Sequence, residues 1–133
     1  MKPEITYWPN GNKRHEEWIK NGMYHRTDGP AYTSWYENGQ KAYEEYFVDG
    51  THHRIDGPAY TGWYADGNKK CEEYIVNDKY HRIDGPAYNS WYADGQKEYE
   101  VYYIHGKRYS KKLFEKTWEY QSYQFDLEIA ESF

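Results

Sequence analysis

The chain alternates short segments rich in aromatic and β-branched residues with turn dipeptides at fixed places. Segments such as QKAYEEYFV (40–48) and AYTSWYE (31–37) have the length and composition of strands. Asn-Gly and Asp-Gly favour tight primed turns, which need positive φ. The pattern therefore predicts successive β-hairpins in an antiparallel meander. The first turn set is Asn10-Gly11, Asn38-Gly39, Asp66-Gly67 and Asp94-Gly95, and the second is Asn21-Gly22, Asp49-Gly50, Asn77-Asp78 and His105-Gly106.

The pattern is an internal repeat. The octapeptide HRIDGPAY begins at His53 and again 28 residues later at His81, and HRTDGPAY begins 28 residues earlier at His25. A period of this size is typical of repeat architectures. We predict a mainly β fold: an antiparallel meander of repeated β-hairpins forming an elongated single-layer sheet, over residues 1–109. Full units begin at positions 8, 36 and 64, and a partial unit begins at position 92.

After Tyr109 the period ends and a helical pattern follows, so residues 110–133 are predicted to form a C-terminal helix and an acidic tail. Ser110 stands at an N-cap position, and the helix is expected from Lys111 to Gln121. It would cover an edge strand of the meander. One helical stripe is expected to carry Leu113, Phe114, Thr117, Trp118 and Gln121.

The Asp-Gly-Pro part of the octapeptide has the chemistry of a turn. Aspartate can bond backbone amides two residues on, glycine can adopt positive φ, and proline fixes its own φ while blocking ladder hydrogen bonds. We predict a structural role that needs no ligand. The predicted turn residues are Asp28, Gly29, Pro30, Asp56, Gly57, Pro58, Asp84, Gly85 and Pro86.

Aromatic residues make up 21% of the 133 residues, with 18 Tyr and 6 Trp, so rings must do much of the burial. Trp35, Trp63 and Trp91 recur at one register and are expected to form a ladder across neighbouring hairpins. Such a ladder forms either a core or a binding face. The core interpretation is favoured, because each unit must bury a face against its neighbour.

A His-Arg ladder is the other candidate binding surface. Its arginines would lie roughly 10 Å apart, at two strands per unit, which is close to three phosphate steps along a DNA strand. Net charge is −5, and an aspartate follows each arginine by two residues. Nucleic acid is therefore possible as a partner but not favoured. The ladder consists of His25, Arg26, His53, Arg54, His81 and Arg82.

Catalysis, metal binding and cofactors are not expected. Three equivalent His-Arg-Asp sets are what a scaffold produces, whereas an active site is usually singular. Histidines roughly 10 Å apart cannot share a zinc ion whose ligands lie about 2 Å away. The single cysteine, Cys71, stands where other units have Tyr43 and Tyr99, so a catalytic thiol is not expected.

The lone cysteine and the absence of any long apolar run predict a cytoplasmic protein without a membrane span. The sequence leaves the oligomeric state open.

The stretch YENGQKAYEEYFVDGTHHRIDGPAY resembles MORN-type β-hairpin repeats, in the HRxDGPA variant found in bacteria, phages and giant viruses. The resemblance covers residues 8–109, and HGKRYSKKLFEKTW resembles the ending of such phage and bacterial proteins. It implies single-layer antiparallel sheets, protein interaction and no catalytic residues. The 28-residue period is longer than that of MORN repeats in general and their Gly-rich core is missing, so their lipid binding is not carried over.

From these observations we expect a non-enzymatic protein-interaction module that binds its partner through an aromatic-rich sheet face or edge. The phage-type resemblance adds the hypothesis of an inhibitor or antitoxin-like binder of a mobile element. The alternative is nucleic-acid or nucleotide binding through the His-Arg ladder.

Overall fold

Strands dominate the computed structural model, which describes residues 1–132. Nine strands form one sheet, in which every neighbouring pair is antiparallel, and six short strands form three separate hairpins. The predicted mainly β meander with a C-terminal helical segment is confirmed. The strands in chain order are β1 (Glu4–Tyr7), β2 (Lys13–Glu17), β3 (Ile19–Lys20), β4 (Met23–Tyr24), β5 (Tyr32–Trp35), β6 (Lys41–Glu45), β7 (Phe47–Val48), β8 (Thr51–His52), β9 (Tyr60–Trp63), β10 (Lys69–Glu73), β11 (Ile75–Val76), β12 (Lys79–Tyr80), β13 (Tyr88–Trp91), β14 (Lys97–Ile104) and β15 (Lys107–Tyr109).

The large sheet runs β1-β2-β5-β6-β9-β10-β13-β14-β15. Each full unit therefore gives the sheet two strands and also forms one small hairpin, namely β3-β4, β7-β8 or β11-β12. At about 4.8 Å per strand, successive units are displaced by roughly 9.6 Å. β1 forms one edge of this sheet and β15 the other.

The two turn sets differ in backbone geometry. In the second set both central residues are left-handed, as at Asp49 (φ 50°) and Gly50 (φ 76°), which is the predicted primed turn. In the first set only the glycine has positive φ, as at Gly39 (φ 90°), and the ladder register shifts beside the turn. The prediction of primed turns is wrong for this set, because a β-bulge with one additional residue lies beside the turn, and only the glycine of the turn needs positive φ.

Small side chains occupy the most buried positions of the sheet. Ala31, Ala59 and Ala87 are fully buried at equivalent positions of the three units. The backbone carbonyl of each accepts a hydrogen bond from the backbone N–H of the residue that follows β2, β6 or β10; for example, the N–H of Tyr46 donates to Ala59 at 2.7 Å. Most aromatic rings of the repeat are half-buried, in contrast to these fully buried alanines.

The C-terminal segment contains two helices, α1 (Lys111–Phe114) and α2 (Trp118–Glu131). Ser110 caps α1 as predicted, but the single helix expected from Lys111 to Gln121 is wrong. The Oγ1 of Thr117 accepts a hydrogen bond from the backbone N–H of Tyr120, so Thr117 is the N-cap of a second helix rather than a residue inside the first.

Only Phe114 of the predicted helical stripe is buried. Its ring packs against Tyr102 with the centroids 4.7 Å apart, and Ile104, Tyr109 and Tyr120 complete this cluster. The cluster covers the β14-β15 end of the sheet. Leu113 and Trp118 are exposed. They belong to different helices, because the helical conformation ends after Phe114 and begins again at Trp118.

Candidate functional site

Each octapeptide is built around an arginine that clamps its own turn. The Nε of Arg54 donates to Oδ1 of Asp56 at 2.9 Å, and its Nη1 donates to the carbonyl oxygen of Pro58 at 3.2 Å. The guanidinium also stacks on the ring of Tyr46, with 4.0 Å from Cζ to the centroid. The other two clamps are Arg26 with Asp28, Pro30 and Trp18, and Arg82 with Asp84, Pro86 and Tyr74.

The glycine of each clamp lies directly against the arginine side chain and does not adopt a left-handed conformation. A Cβ placed on Gly57 would lie 2.8 Å from Cζ of Arg54, and one on Gly29 would lie 2.8 Å from Cζ of Arg26. Neither glycine has positive φ, so the expected left-handed conformation is wrong. These glycines leave room for the guanidinium to lie flat against the turn.

The histidine beside each arginine joins one unit to the next. Nδ1 of His53 accepts a hydrogen bond from the backbone N–H of Asn77, in the second turn of the following unit, at 3.1 Å. The backbone N–H of Arg54 donates to the carbonyl of Ile75 at 3.1 Å. Both bonds recur in register in the other units, with Asp49 to His25, His105 to His81, Arg26 to Phe47 and Arg82 to Tyr103.

The aspartates of the clamps offset the positive charge of the arginines in the His-Arg ladder. Hydrogen bonding and attraction to Arg26 and Arg54 lower the pKa of Asp28 and of Asp56. These two carboxylates are therefore ionised beside their arginines, whose side chains are only 22–23% exposed. The three arginines therefore do not present a row of unpaired positive charges to phosphates.

Neighbouring clamps enclose two similar grooves. The first, of 420 Å³, lies between the loops of Arg26 and Arg54, and the second, of 590 Å³, lies between those of Arg54 and Arg82. Tyr46 lines the first groove and Tyr74 the second. Ile55 lines both grooves, so it lies on the ridge between them.

The predicted tryptophan ladder is interleaved with lysines. In the described part of the chain, Trp35, Trp63 and Trp91 do not stack on one another; Lys41 lies 5.9 Å from the centroid of Trp63 and also pairs with Glu44 at 2.9 Å. The same ammonium–ring–carboxylate arrangement recurs in the other units. These half-buried rings hold the side chains of one sheet face in place.

Tyrosines, not tryptophans, form the ring stack, on the opposite sheet face. Tyr32, Tyr43 and Tyr60 stack with centroids 5.6 and 5.9 Å apart. Burial raises the pKa of Tyr32 and of Tyr60, so both hydroxyls stay protonated at neutral pH. The stack stops at Cys71, and burial likewise raises the pKa of this thiol, which argues against a nucleophilic role.

Carboxylates between these rings bind the small hairpins to the sheet. Strand register places Glu45 and Glu73 beside the stacked tyrosines. Nε2 of His52 lies 2.7 Å from Oε2 of Glu45, and the hydroxyl of Tyr80 donates to Glu73. Each of these polar groups thus has a structural partner in the same repeat unit, one on the large sheet and the other on the small hairpin.

Within residues 1–132 no group of three or more His, Cys, Asp or Glu side chains is placed to hold a metal ion. Over the same residues, no helix is long and apolar enough to cross a membrane.

An apolar stripe on α2 is the feature that the sequence reasoning missed. Trp118 is 78% exposed, Phe125 61% and Ile129 42%, and none of the residues from Trp118 to Glu131 is buried. Their spacing of seven and then four residues places them on one helix face. The same spacing in the sequence could have identified the stripe, had the helix been predicted to continue past Gln121.

Comparison with models of known protein families, with curated proteins and with solved structures finds no match to this chain.

Proposed function

We propose that this chain is a non-enzymatic protein-interaction module that presents α2 to a partner protein. The observation that supports this proposal most directly is the exposure of Trp118, Phe125 and Ile129 on one face of a helix with no buried residue. Large apolar side chains grouped on a surface mark interaction sites, and tryptophan is enriched among residues that dominate binding energy.

The charge of α2 defines the chemistry of the partner. The helix carries Glu119, Asp126, Glu128 and Glu131 and has no Lys or Arg. Two copies paired through this helix would bring like charges together, which disfavours self-association. A partner with an apolar groove rimmed by Lys or Arg would accept the stripe and pair with the carboxylates.

The rest of the molecule supports a scaffold role. The polar groups that could suggest chemistry, namely the histidines, arginines and aspartates of the octapeptide, recur in equivalent copies and bond one another or the next unit. A rigid sheet of this kind lowers the cost of holding a binding helix in place.

The resemblance to MORN-type repeats in their phage and bacterial variant supports a narrower form of the proposal. In this form the module acts in the cytoplasm and inhibits or buffers a host or toxin protein.

The decisive experiment compares the wild type with a Trp118→Ser, Phe125→Ser, Ile129→Ser variant. Both are used to capture proteins from a bacterial lysate, and any protein held by the wild type alone is then purified and titrated by calorimetry. We expect one-to-one binding that the variant weakens at least about tenfold, because three apolar side chains leave the interface.

The matched control is Leu113→Ser, which removes an exposed aliphatic side chain of α1 outside the stripe. It should bind like the wild type. Unchanged affinity in the stripe variant contradicts the proposal. So does concentration-dependent dimerisation in sedimentation that only the stripe variant abolishes, because the helix would then bind a second copy.

A further inference from the structure

The two grooves between the arginine clamps are preformed and repeat the same chemistry. Each has an aromatic ring, a valine and an Asp-Arg pair at positions 28 residues apart in sequence, as with Val48 in the first groove and Val76 in the second. The clamps are fixed by hydrogen bonds and ring stacking, so a ligand finds them already ordered.

Ile55 is the most informative residue of this surface. It is 84% exposed although it is a large aliphatic side chain, and it lies between the two grooves. The clamp does not need it, because the first unit has Thr27 at the same position and forms the same hydrogen bonds. Its exposure gives the surface an apolar contact point with no structural use.

The spacing of the grooves selects the conformation of a ligand. Successive units are displaced by roughly 9.6 Å, so a ligand must present equivalent groups at that interval. A polyproline II helix does so every three residues, at about 9.3 Å. An extended strand repeats a face at about 6.8 Å, and an α-helix at about 10.5 Å per heptad, so both fall out of step sooner.

Hydrogen-bonding capacity favours the same ligand. A guanidinium has five N–H donors, and Arg54 spends one on Asp56 and one on Pro58, so donors remain at the groove. A proline-rich segment offers backbone carbonyls and few N–H groups. Since the aspartates cancel the arginine charge, these donors suit neutral carbonyls better than phosphates.

The geometry points to a binding site for a proline-rich peptide in the polyproline II conformation, lying across both grooves with its prolines on either side of Ile55. This surface is separate from α2 and goes beyond the interaction proposed for that helix. Aromatic-lined grooves are a recurrent way of binding such peptides.

The probe is a fluorescein-labelled peptide of about twelve residues with proline at every third position, and the control peptide has glycine in place of proline. Fluorescence anisotropy at physiological salt gives the affinity for each. We expect binding of the proline peptide only, because glycine removes the preformed conformation.

Four variants then test the location of the site. Ile55→Ser should weaken binding about fivefold or more, whereas Leu113→Ser, the matched exposed aliphatic, should leave it unchanged. Thr27→Ile places an aliphatic side chain at the outer wall of the first groove and should strengthen binding. The stripe variant of α2 should bind the peptide like the wild type, so the two surfaces are tested separately.

Circular dichroism and urea unfolding verify that each variant is folded, which is expected since Ile55 is exposed. No binding at millimolar peptide, or equal loss in Ile55→Ser and Leu113→Ser, overturns the site. Competition by single-stranded DNA that weakens steeply with salt also overturns it, because the grooves would then bind phosphates.

Discussion

Replacing Gly57 with alanine tests the clamp at its tightest contact. The new Cβ would lie 2.8 Å from Cζ of Arg54 and 3.0 Å from Nη2, so the guanidinium must shift and its contacts are weakened. The φ of Gly57 lies outside the left-handed region, so alanine brings no backbone strain of that kind. Any loss of stability therefore reflects the contacts of Arg54 that the added Cβ weakens.

The magnitude follows from the contacts of Arg54. Its stack on Tyr46 contributes about 0.5–1 kcal/mol and its hydrogen bond to Pro58 about 1 kcal/mol. Alanine offsets part of this loss, since it stiffens the unfolded chain by about 0.4–1 kcal/mol. The expected net destabilisation is about 1 kcal/mol, or about 4 °C in Tm.

Urea unfolding followed by circular dichroism measures the effect in two backgrounds. In the Arg54→Ala background the Cβ has no guanidinium to displace, so Gly57→Ala should stabilise by about 0.4–1 kcal/mol. Gly85→Ala is the internal comparison, because its nearest contact is 3.1 Å and its cost should be smaller. Equal destabilisation of Gly57→Ala in both backgrounds would refute the clamp.

Three further predictions concern other parts of the repeat. Burial lowers the pKa of His81 from its ordinary value of about 6.5, so the unfolded state binds more protons than the folded state. The free energy of unfolding should therefore fall as pH drops below about 6.5 through the folded pKa. Urea unfolding across this range should show a weaker pH dependence in His81→Gln, and an equal dependence would exclude His81 as the cause. Asp84→Ala removes the 2.7 Å bond to Arg82 and should cost about 0.5–1 kcal/mol, measured by the same unfolding; no loss would mean that the pair is dispensable. Cys71→Tyr restores the residue found in the neighbouring units and should raise stability by about 0.5 kcal/mol through continued ring stacking, which thermal unfolding would contradict if Tm fell.

The repeat made the sheet predictable, because turn dipeptides and strand composition recur in phase and each copy repeats the prediction. What the period could not supply is the difference between its two turn sets. Asn38-Gly39 and Asp49-Gly50 have similar chemistry. A β-bulge lies beside the Asn38-Gly39 turn, however, and Asn38 is outside the left-handed region. Strand register, which depends on tertiary pairing, decides between them.

The functional surfaces were harder to predict for a different reason. Gly57 in an Asp-Gly-Pro sequence suggests backbone freedom, whereas its actual role is to leave space for a side chain three residues earlier. Thr117 fits a helical stripe by spacing, but its hydroxyl caps a new helix, in which Trp118 is exposed to solvent. Both outcomes depend on side-chain bonds that periodicity does not describe.

The bonds from each histidine to the turn of the following unit give the molecule a modular length. Because Asn77 donates to His53 as His105 donates to His81, any junction between units has the same two surfaces. Duplicating a 28-residue segment in the gene would therefore insert a unit whose both sides already fit. The number of repeat units can therefore change by gene duplication. Each duplication would lengthen the sheet by roughly 9.6 Å and add one groove, and both ends of the molecule would stay unchanged.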